Sequence, residues 1–302
     1  MIHFVCNRNY TDPHINLALE EYCYRNTNPE INLLLFYINA PSVIIGKHQN
    51  IFSEINYRFA KDRNIDIIRR ISGGGTVFHD HGNLNFSLIT GFSQYELSGL
   101  KKLLTIILEV IHKLSIKASL NDKNDIIVQG EKISGSSQIT NMRKVINHGT
   151  LLFDTHLPTL HEVLNSDTQV IKSSGVPSIK SKVTNLSFHL GTNITLNELK
   201  QLIANAVCNV FGDGVDYNLS DQDWENIFLL AESKYRSWNW NYGMNQTFIA
   251  EHTCPVNGFE SEKILLKIKK GLIQNINKNH SAQISVQKLN HMIGTRYNPV
   301  KF

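Results

Sequence analysis

The sequence RRISGGGTVFHD at residues 69–80 decides how this chain is interpreted. Three consecutive glycines separate a strand-like run at 65–68 from a second one at 76–78. Because glycine lacks a Cβ, it reaches left-handed conformations and lets backbone N–H groups approach a ligand closely. Arg69 and Arg70 add fixed positive charge and forked donors just before the turn. The stretch predicts a loop that holds a phosphate-bearing or acyl-bearing ligand; the alternative is a glycine-rich hairpin turn with arginines facing solvent.

A second motif, NDIIVQGEKISGSSQ, occupies residues 124–138. It predicts a strand at 126–128, a tight turn at Gln129 and Gly130, and a second strand that carries Lys132. The same segment carries small residues at 134–137, so we expect its side chains not to shield the ammonium from a bound ligand. An exposed strand lysine would be the simpler interpretation if this motif stood alone.

Further motifs occur in a fixed order along the chain. They are NLALEE (16–21), PSVIIGKHQN (41–50), HGTLLFD (148–154), SKVTNL (181–186) and SWNWNYG (237–243). Together with the glycine turn and the lysine motif, this order resembles the lipoate–protein ligase family, which includes the lipoyltransferases. The matching motifs span roughly residues 16–243, which is most of the chain.

The resemblance implies an α+β fold, in which a mixed β-sheet with flanking helices resembles the catalytic domain of biotin–protein ligases. It also implies a small C-terminal α+β accessory domain. We place the boundary near residue 245, where the alternation pattern changes, giving a catalytic domain at 1–245 and an accessory domain at 246–302 that looks shortened. Asp12 and Pro13 predict the start of a helix over about 13–26, and another helix is predicted over 97–114. In the tail, alternation predicts a hairpin at 264–276, broken at Lys270 and Gly271, and a short closing helix is predicted at 287–293. We expect this tail to be mobile and to cover the active site during adenylation.

The implied reaction is that of an ATP-dependent lipoate–protein ligase. Lipoate and ATP give lipoyl-AMP and pyrophosphate, and the lipoyl group then passes to a lysine of an acceptor lipoyl domain. Acceptors in this family are the E2 subunits of 2-oxoacid dehydrogenases and the glycine-cleavage H protein. Bringing a carboxylate against a triphosphate requires fixed cations and oriented N–H dipoles.

Motif positions assign the site residues. Lys132 is the expected catalytic residue, bridging the lipoate carbonyl and the α-phosphate. Asp125 is expected to hold Mg²⁺ or to orient Lys132, since Mg²⁺ on phosphates needs few protein ligands. The residues expected to surround the dithiolane ring of lipoate are Ile44, Val77 and Phe78. The full set of expected nucleotide- and lipoate-binding residues is Arg70, Gly73, Gly74, Gly75, Thr76, Val77, Phe78, Asn83, Asn124, Asp125, Lys132, Gly149 and Thr150.

Several other residues invite a functional interpretation that we do not adopt. His79, Asp80 and His81 are adjacent, and successive strand residues point to opposite faces, so they do not converge on a metal. Asp80 is expected to close a turn. His148 either hydrogen-bonds near the ligand or is a core histidine. The aromatic residues of 238–242 are expected to pack at the domain junction.

Composition is that of an ordinary globular protein. The chain has 302 residues, of which 41% are hydrophobic and 19% charged. No apolar run approaches the roughly 18 residues of a membrane span, and no signal or transit segment is visible. The four cysteines are scattered and form no CxxC pair. We therefore expect a cytoplasmic protein that binds neither membrane nor nucleic acid.

Charged residues are distributed unevenly along the chain. From residue 246 onward there are eight Lys or Arg and three Asp or Glu, whereas the rest of the chain carries 22 against 23. Either the tail has a solvated lysine-rich face, or it steers an acidic partner.

Two function classes stay open beside the ligase. One is a lipoyl or octanoyl transferase that uses a preactivated donor, either through a cysteine thioester or from preformed lipoyl-adenylate. The other is a non-catalytic module that binds lipoyl domains. The intact lysine and glycine motifs argue against the module, and the absence of cysteine between Cys23 and Cys208 argues against the thioester route.

Overall fold

The computed structural model describes residues 1–92, 99–256, 259–278 and 289–301. Its strands are β1 (Ile2–Val5), β2 (Asn32–Tyr37), β3 (Ser42–Ile45), β4 (Asp66–Arg69), β5 (Val77–His79), β6 (Asn83–Gly91), β7 (Ala118–Leu120), β8 (Ile126–Val128), β9 (Glu131–Ser134), β10 (Ser136–Thr140), β11 (Lys144–Leu152), β12 (Gln169–Ser173), β13 (Gly214–Tyr217), β14 (Phe248–Val256), β15 (Phe259–Lys269) and β16 (Leu272–Lys278).

The helices are α1 (Pro13–Asn26), α2 (Ile51–Glu54), α3 (Tyr57–Asp62), α4 (Gly99–Lys113), α5 (Leu157–Val163), α6 (Leu196–Phe211), α7 (Asp221–Leu230) and α8 (Trp238–Asn241). A π-helical turn at Ala231–Tyr235 continues α7, and short 3₁₀ turns occupy Leu186–His189, Asn290–Met292 and Pro299–Lys301. No helix in these described ranges is long and apolar enough to cross a membrane.

The central sheet runs in the order β10-β11-β6-β2-β1-β13 across the described strands. Its pairing is mixed, because β1 lies parallel to both neighbours whereas β6 is antiparallel to β2 and β11. One face packs against α4 and α6, and the other packs against α1 and α7. Strand β2 has Leu34 on the first face and Leu33 and Leu35 on the second, as period-two alternation requires. The predicted α+β fold with a mixed sheet and flanking helices is confirmed.

Local sequence explains most helix ends. Asp12 caps α1 by accepting from the N–H of His14 at 2.9 Å, and Pro13 begins the helix, as predicted. Thr195 and Glu198 form a capping box at the start of α6. Helix α4 was predicted over 97–114; its first two predicted residues lie outside the described residues, and it ends at Lys113.

Two smaller three-stranded sheets carry the motifs. Strands β4, β3 and β5 flank the glycine turn, and β7, β8 and β9 form the hairpin that carries Lys132. The predicted strand, turn and second strand at 126–134 are confirmed. Gln129 has a φ of 51° and Gly130 a φ of 85° in that turn, a backbone that favours glycine at the second position.

The tail forms a sheet of the order β12-β14-β15-β16 among the described residues. The predicted hairpin at 264–276 is confirmed, with left-handed Lys270 and Gly271 in its turn. Of the predicted closing helix at 287–293, residues 287–288 lie outside the described residues and Asn290–Met292 is a 3₁₀ turn.

The tail sheet shares its core with the main body. Strand β12, from before residue 245, pairs antiparallel with β14. Phe248 and Leu266 of the tail belong to one buried apolar cluster with Val43, Phe52 and Phe78. The boundary near residue 245 and the mobility of the tail stay predictions. Because the tail shares a buried cluster with the main body, we expect the main body to depend on the tail for its stability, and deletion of the tail tests the boundary.

Candidate active site

A cavity of about 310 Å³ lies where the glycine turn meets α1 and the strands β3, β5, β9 and β11. Its walls include nine of the predicted site residues: Arg70, Gly74, Gly75, Thr76, Val77, Asp125, Lys132, Gly149 and Thr150. Gly73, Phe78, Asn83 and Asn124 are not among its lining residues. Motifs separated by up to 80 residues in sequence therefore converge on one site.

Arg70 shapes the glycine turn. Its Nη2 donates to the carbonyl oxygens of Gly73 and Gly75 at 2.6 and 2.7 Å, and its Nη1 donates to the Ile44 carbonyl at 3.0 Å. Burial lowers the pKa of the Arg70 guanidinium to about 10, opposed by the nearby Glu20 carboxylate, so the group stays charged at neutral pH. The N–H donors of Arg70 hold the loop, and its positive charge lies in the wall of the cavity.

Arg69 is fully buried and also binds backbone rather than solvent. It donates to the carbonyl oxygens of Gly46, Lys47, Gln49 and Asn241 over distances of 2.8–3.2 Å. The two arginines are thus structural clamps of the turn. The interpretation of the stretch as a plain hairpin with solvent-facing arginines is wrong, because both side chains are buried.

Lys132 projects from β9 toward Asp125, with its Nζ 2.8 Å from Oδ1. The carboxylate is nearly buried, and a quarter of the lysine side chain is exposed. A Cβ on Gly135 would lie 2.9 Å from both Cε and Nζ of Lys132. Gly135, one of the small residues of the motif, therefore lies directly against the end of the Lys132 side chain. A larger side chain at position 135 would displace the lysine.

Asn124 and Asp125 anchor the approach to this lysine. Asn124 has a φ of 60°, and its carbonyl accepts from the Ser136 hydroxyl at 3.1 Å, consistent with a turn-fixing role. The second carboxylate oxygen of Asp125 accepts from the Asn121 amide at 3.3 Å. Both carboxylate oxygens thus have protein donors. That Asp125 orients Lys132 stays a prediction.

Strand β5 splits its residues between two faces. Val77 and His79 line the cavity, whereas Phe78 points into the apolar cluster shared with the tail. Asp80 closes a turn by accepting from the Gly82 N–H at 3.0 Å, and it also accepts from the His156 N–H at 2.8 Å. Among the described residues no group of three or more His, Cys, Asp or Glu could hold a metal.

His148 is held by two side chains rather than left to a ligand. Its Nδ1 lies 2.9 Å from the Glu20 carboxylate, and its Nε2 lies 2.7 Å from the Ser72 hydroxyl. Because a carboxylate only accepts, Nδ1 carries a proton. Ser72 in turn accepts from Nε of Arg70 at 3.0 Å. His148 is therefore a satisfied histidine that also lines the cavity.

A second cavity of about 720 Å³ adjoins the first. Lys132, Val77, Gly135 and Thr150 line both cavities, and Phe78 lines only the second. Lys132 therefore belongs to the wall that the two cavities share. Such a position allows one cation to act on groups held on both sides.

Residues 176–181 also border the cavities: 177–179 and Ser181 line both, Val176 lines only the first and Lys180 only the second. Sequence reasoning missed 176–180. Ser178 fixes this segment: its hydroxyl bonds to the Glu54 carboxylate, accepts from Gln49 at 2.9 Å and accepts from the Thr76 N–H at 2.9 Å. Other lining residues that were missed are Leu17, Tyr37, His79 and Asn85. For His79 a signal existed, because strand alternation places it on the same face as Val77.

Cysteine is absent from both cavity linings in the described part of the chain. Cys6 is exposed and Cys208 is partly buried, whereas Cys23 is fully buried in α1. Burial raises the pKa of the Cys23 thiol to about 12, so it is not an activated nucleophile at neutral pH.

Comparison with known families decides the assignment. The family model described as "Lipoyl protein ligase A/B catalytic domain" matches residues 12–208. The chain belongs to this family. The chain is 39% identical over 275 residues to "Lipoate-protein ligase LplJ" of Bacillus subtilis, covering 90% of this chain and 82% of the relative.

Solved structures share the fold of this chain. The crystal structure of P. falciparum LipL1 in complex with lipoate aligns with a TM-score of 0.67 at 25% identity, covering 99% of this chain and 91% of that one. A bi-partite lipoate protein ligase from Thermoplasma acidophilum, described with its E2 lipoyl domain, aligns with a TM-score of 0.67 at 22% identity. It covers 79% of this chain and 95% of that one, and it supports the fold alone.

Proposed function

We propose that this family member is an ATP-dependent lipoate–protein ligase that forms lipoyl-AMP and then acylates a lysine of a lipoyl domain. The observation that carries the proposal is the position of Lys132 in the wall shared by the two cavities. We assign the first cavity to the acyl chain and the second, larger one to the nucleotide.

Activation joins two anions. A lipoate carboxylate oxygen attacks the α-phosphorus, the bond from that phosphorus to the bridging oxygen of the β-phosphate breaks, and pyrophosphate leaves. The Lys132 ammonium offsets negative charge on the carboxylate and the α-phosphate as they meet. Asp125, 2.8 Å from Nζ, fixes the direction of the ammonium.

In the transfer step, the acyl carbon of lipoyl-AMP becomes the group that is attacked. The neutral amine of the acceptor lysine attacks the acyl carbon, an amide bond forms, the bond from that carbon to the phosphate oxygen breaks, and AMP leaves. The attacking amine loses a proton, which passes to solvent water. Lys132 remains beside the acyl oxygen on which negative charge develops, so one preorganised cation serves both steps.

Magnesium fits this site with a single protein ligand. Asp125 lines the first cavity and contacts Lys132 of the shared wall at 2.8 Å, so it lies beside the second cavity, which we assign to the nucleotide and whose described lining includes Glu54 and Glu162. Mg²⁺ on nucleotides needs one or two carboxylates beside phosphate oxygens and water. When bound, Mg²⁺ would neutralise phosphate charge. Because Asp125 already pairs with Lys132, we propose that its main role is to orient the lysine and that binding of Mg²⁺ is its second role.

The proposed acceptors are lipoyl domains of E2 subunits and the glycine-cleavage H protein, as family membership suggests, and the proposed compartment is the cytoplasm. Gly149 and Thr150 of β11 and Gly74 and Gly75 of the turn supply backbone near the acyl-phosphate position. The thioester alternative gains no support from the site, since no cysteine lines it within the described ranges.

Pyrophosphate release tests the proposal. The protein is mixed with ATP, Mg²⁺ and lipoate, with and without an acceptor lipoyl domain, and the acceptor is weighed by mass spectrometry. We expect lipoate-dependent pyrophosphate release and a lipoyl adduct on one acceptor lysine. Acylation from supplied lipoyl-AMP without any pyrophosphate release from ATP would instead limit the protein to the transfer step.

A further inference from the structure

A chain of buried amides fixes the protonation of His79. Asn16 donates from Nδ2 to the Tyr10 carbonyl at 2.8 Å, which identifies that atom as nitrogen, since a carbonyl only accepts. The same Nδ2 donates to Oδ1 of Asn39 at 2.9 Å. The other end of the Asn39 amide is then its NH₂ group, which lies 2.9 Å from Nδ1 of His79.

His79 must therefore accept at Nδ1 and carry its proton on Nε2. Burial, together with the charge of Arg70, lowers the pKa of His79 to about 3, so the ring is neutral at physiological pH. A neutral imidazole has one donor and one acceptor. With Nδ1 fixed as the acceptor, Nε2–H is the donor.

This Nε2–H is buried and has no hydrogen-bond partner in the described part of the protein. His79 is only 3% exposed and lines the first cavity. A buried donor without a partner is costly, and the few that occur in native structures call for an explanation such as a ligand or a bound water. The donor therefore stands in the wall of a cavity that takes a ligand.

The cavity has a buried end and an exposed end. Leu17, Tyr37, His79 and Asn85 are all nearly buried and border the first cavity alone. Val176 and Ile179, by contrast, are more than half exposed. Because Lys132 holds the carboxylate end at the wall shared with the second cavity, the far end of the acyl chain reaches the buried residues.

We propose that Nε2–H of His79 donates to a dithiolane sulfur and thereby selects lipoate over octanoate. The inference rests on the proposed function, since it assumes that the first cavity binds the acyl chain. Sulfur of this type is a weak acceptor, whereas the terminal methyl of octanoate accepts nothing. Octanoate would leave the donor unpaired, and sites with an unpaired buried polar group reject such analogues.

The test compares acyl substrates within one enzyme preparation. Pyrophosphate release is measured with lipoate and with octanoate, and the ratio of the two kcat/KM values is formed, which cancels any difference in folded fraction. His79→Leu removes the donor, and we expect the ratio to fall about three- to tenfold. His79→Gln offers an amide donor near the position of Nε2 and should retain more of the ratio.

A matched control and an independent readout keep the inference falsifiable. His112→Gln changes an exposed histidine of α4 that lines neither cavity, and its ratio should equal that of the wild type. Nitrogen-15 NMR of the wild-type protein should show His79 protonated at Nε2, with a shift that responds to lipoate and not to octanoate.

Each outcome has one meaning. An unchanged ratio in both His79 variants, or a proton found on Nδ1, overturns the inference and leaves the ligase proposal intact. Equal responses of Nε2 to lipoate and octanoate would indicate a bound water as its partner and would also overturn it. Failure of the wild type to release pyrophosphate with either acid contradicts the proposed function itself.

Discussion

Replacement of Lys132 by alanine is the sharpest perturbation of the proposed chemistry. The variant removes a cation that is oriented by a 2.8 Å contact with Asp125 and that borders both cavities. Loss of one preorganised donor at the position of developing charge costs about 100- to 1000-fold in rate, or about 2.7–4 kcal/mol in the activation barrier. We expect lipoylation by Lys132→Ala to fall by at least this factor.

The cost in stability should be small by comparison. A quarter of the Lys132 side chain is exposed, and Asp125 keeps its contact with Asn121. We estimate a loss of about 1 kcal/mol in the free energy of unfolding, from a carboxylate left with one partner fewer. For a chain of this length the melting temperature should fall by about 2 °C.

The assay combines lipoylation of an acceptor domain with thermal melts of each variant. Lys132→Arg should rescue poorly, because a planar fork does not reproduce a compact ammonium. The control is the double variant Asp125→Asn with Lys132→Ala, which removes the unpaired carboxylate; it should recover stability without recovering activity. Activity near that of the wild type in a folded Lys132→Ala protein would refute the reasoning.

Three further predictions follow from packing and from the cysteines. Replacing all four cysteines with serine or alanine should leave acyl transfer chemically intact, and a lipoyl or octanoyl thioester detected on the wild type by mass spectrometry would contradict this. Gly149→Ala should lose about 1–3 kcal/mol in a melt, because its Cβ would lie 2.5 Å from Phe86 Cζ and 2.6 Å from the Gly135 carbonyl; Gly191→Ala, with no heavy atom within 4 Å, is the control and should melt like the wild type. Deleting residues from 246 onward should strip the shared apolar cluster and abolish the cooperative melt, whereas a truncated protein that melts cooperatively would support a separate tail domain.

Local motifs predicted the elements that carry the site. Asp12 and Pro13 specify the start of α1, and the Gln129–Gly130 turn specifies the lysine hairpin, because both signals act within a few residues. Family resemblance then placed the glycine turn beside Lys132, and the structure brings these residues to one cavity.

The features that the sequence could not predict depend on contacts between residues far apart in the chain. Arg69 reaches the side chain of Asn245, 176 residues away, so its role as a clamp is invisible to local patterns. Strand β12 joins a sheet whose other strands lie beyond residue 245. Residues 176–181 have no regular structure, and the hydrogen bonds of Ser178 and that of the Val176 N–H to the His48 carbonyl show why they border the site.

The most direct test of the account is a crystal structure with a non-hydrolysable analogue of lipoyl-adenylate. We predict the acyl chain in the first cavity, the adenosine in the second, and Nζ of Lys132 within about 3.2 Å of both the acyl oxygen and a phosphate oxygen. An analogue bound with Lys132 out of reach of either oxygen, or with the acyl chain outside the first cavity, would contradict the account.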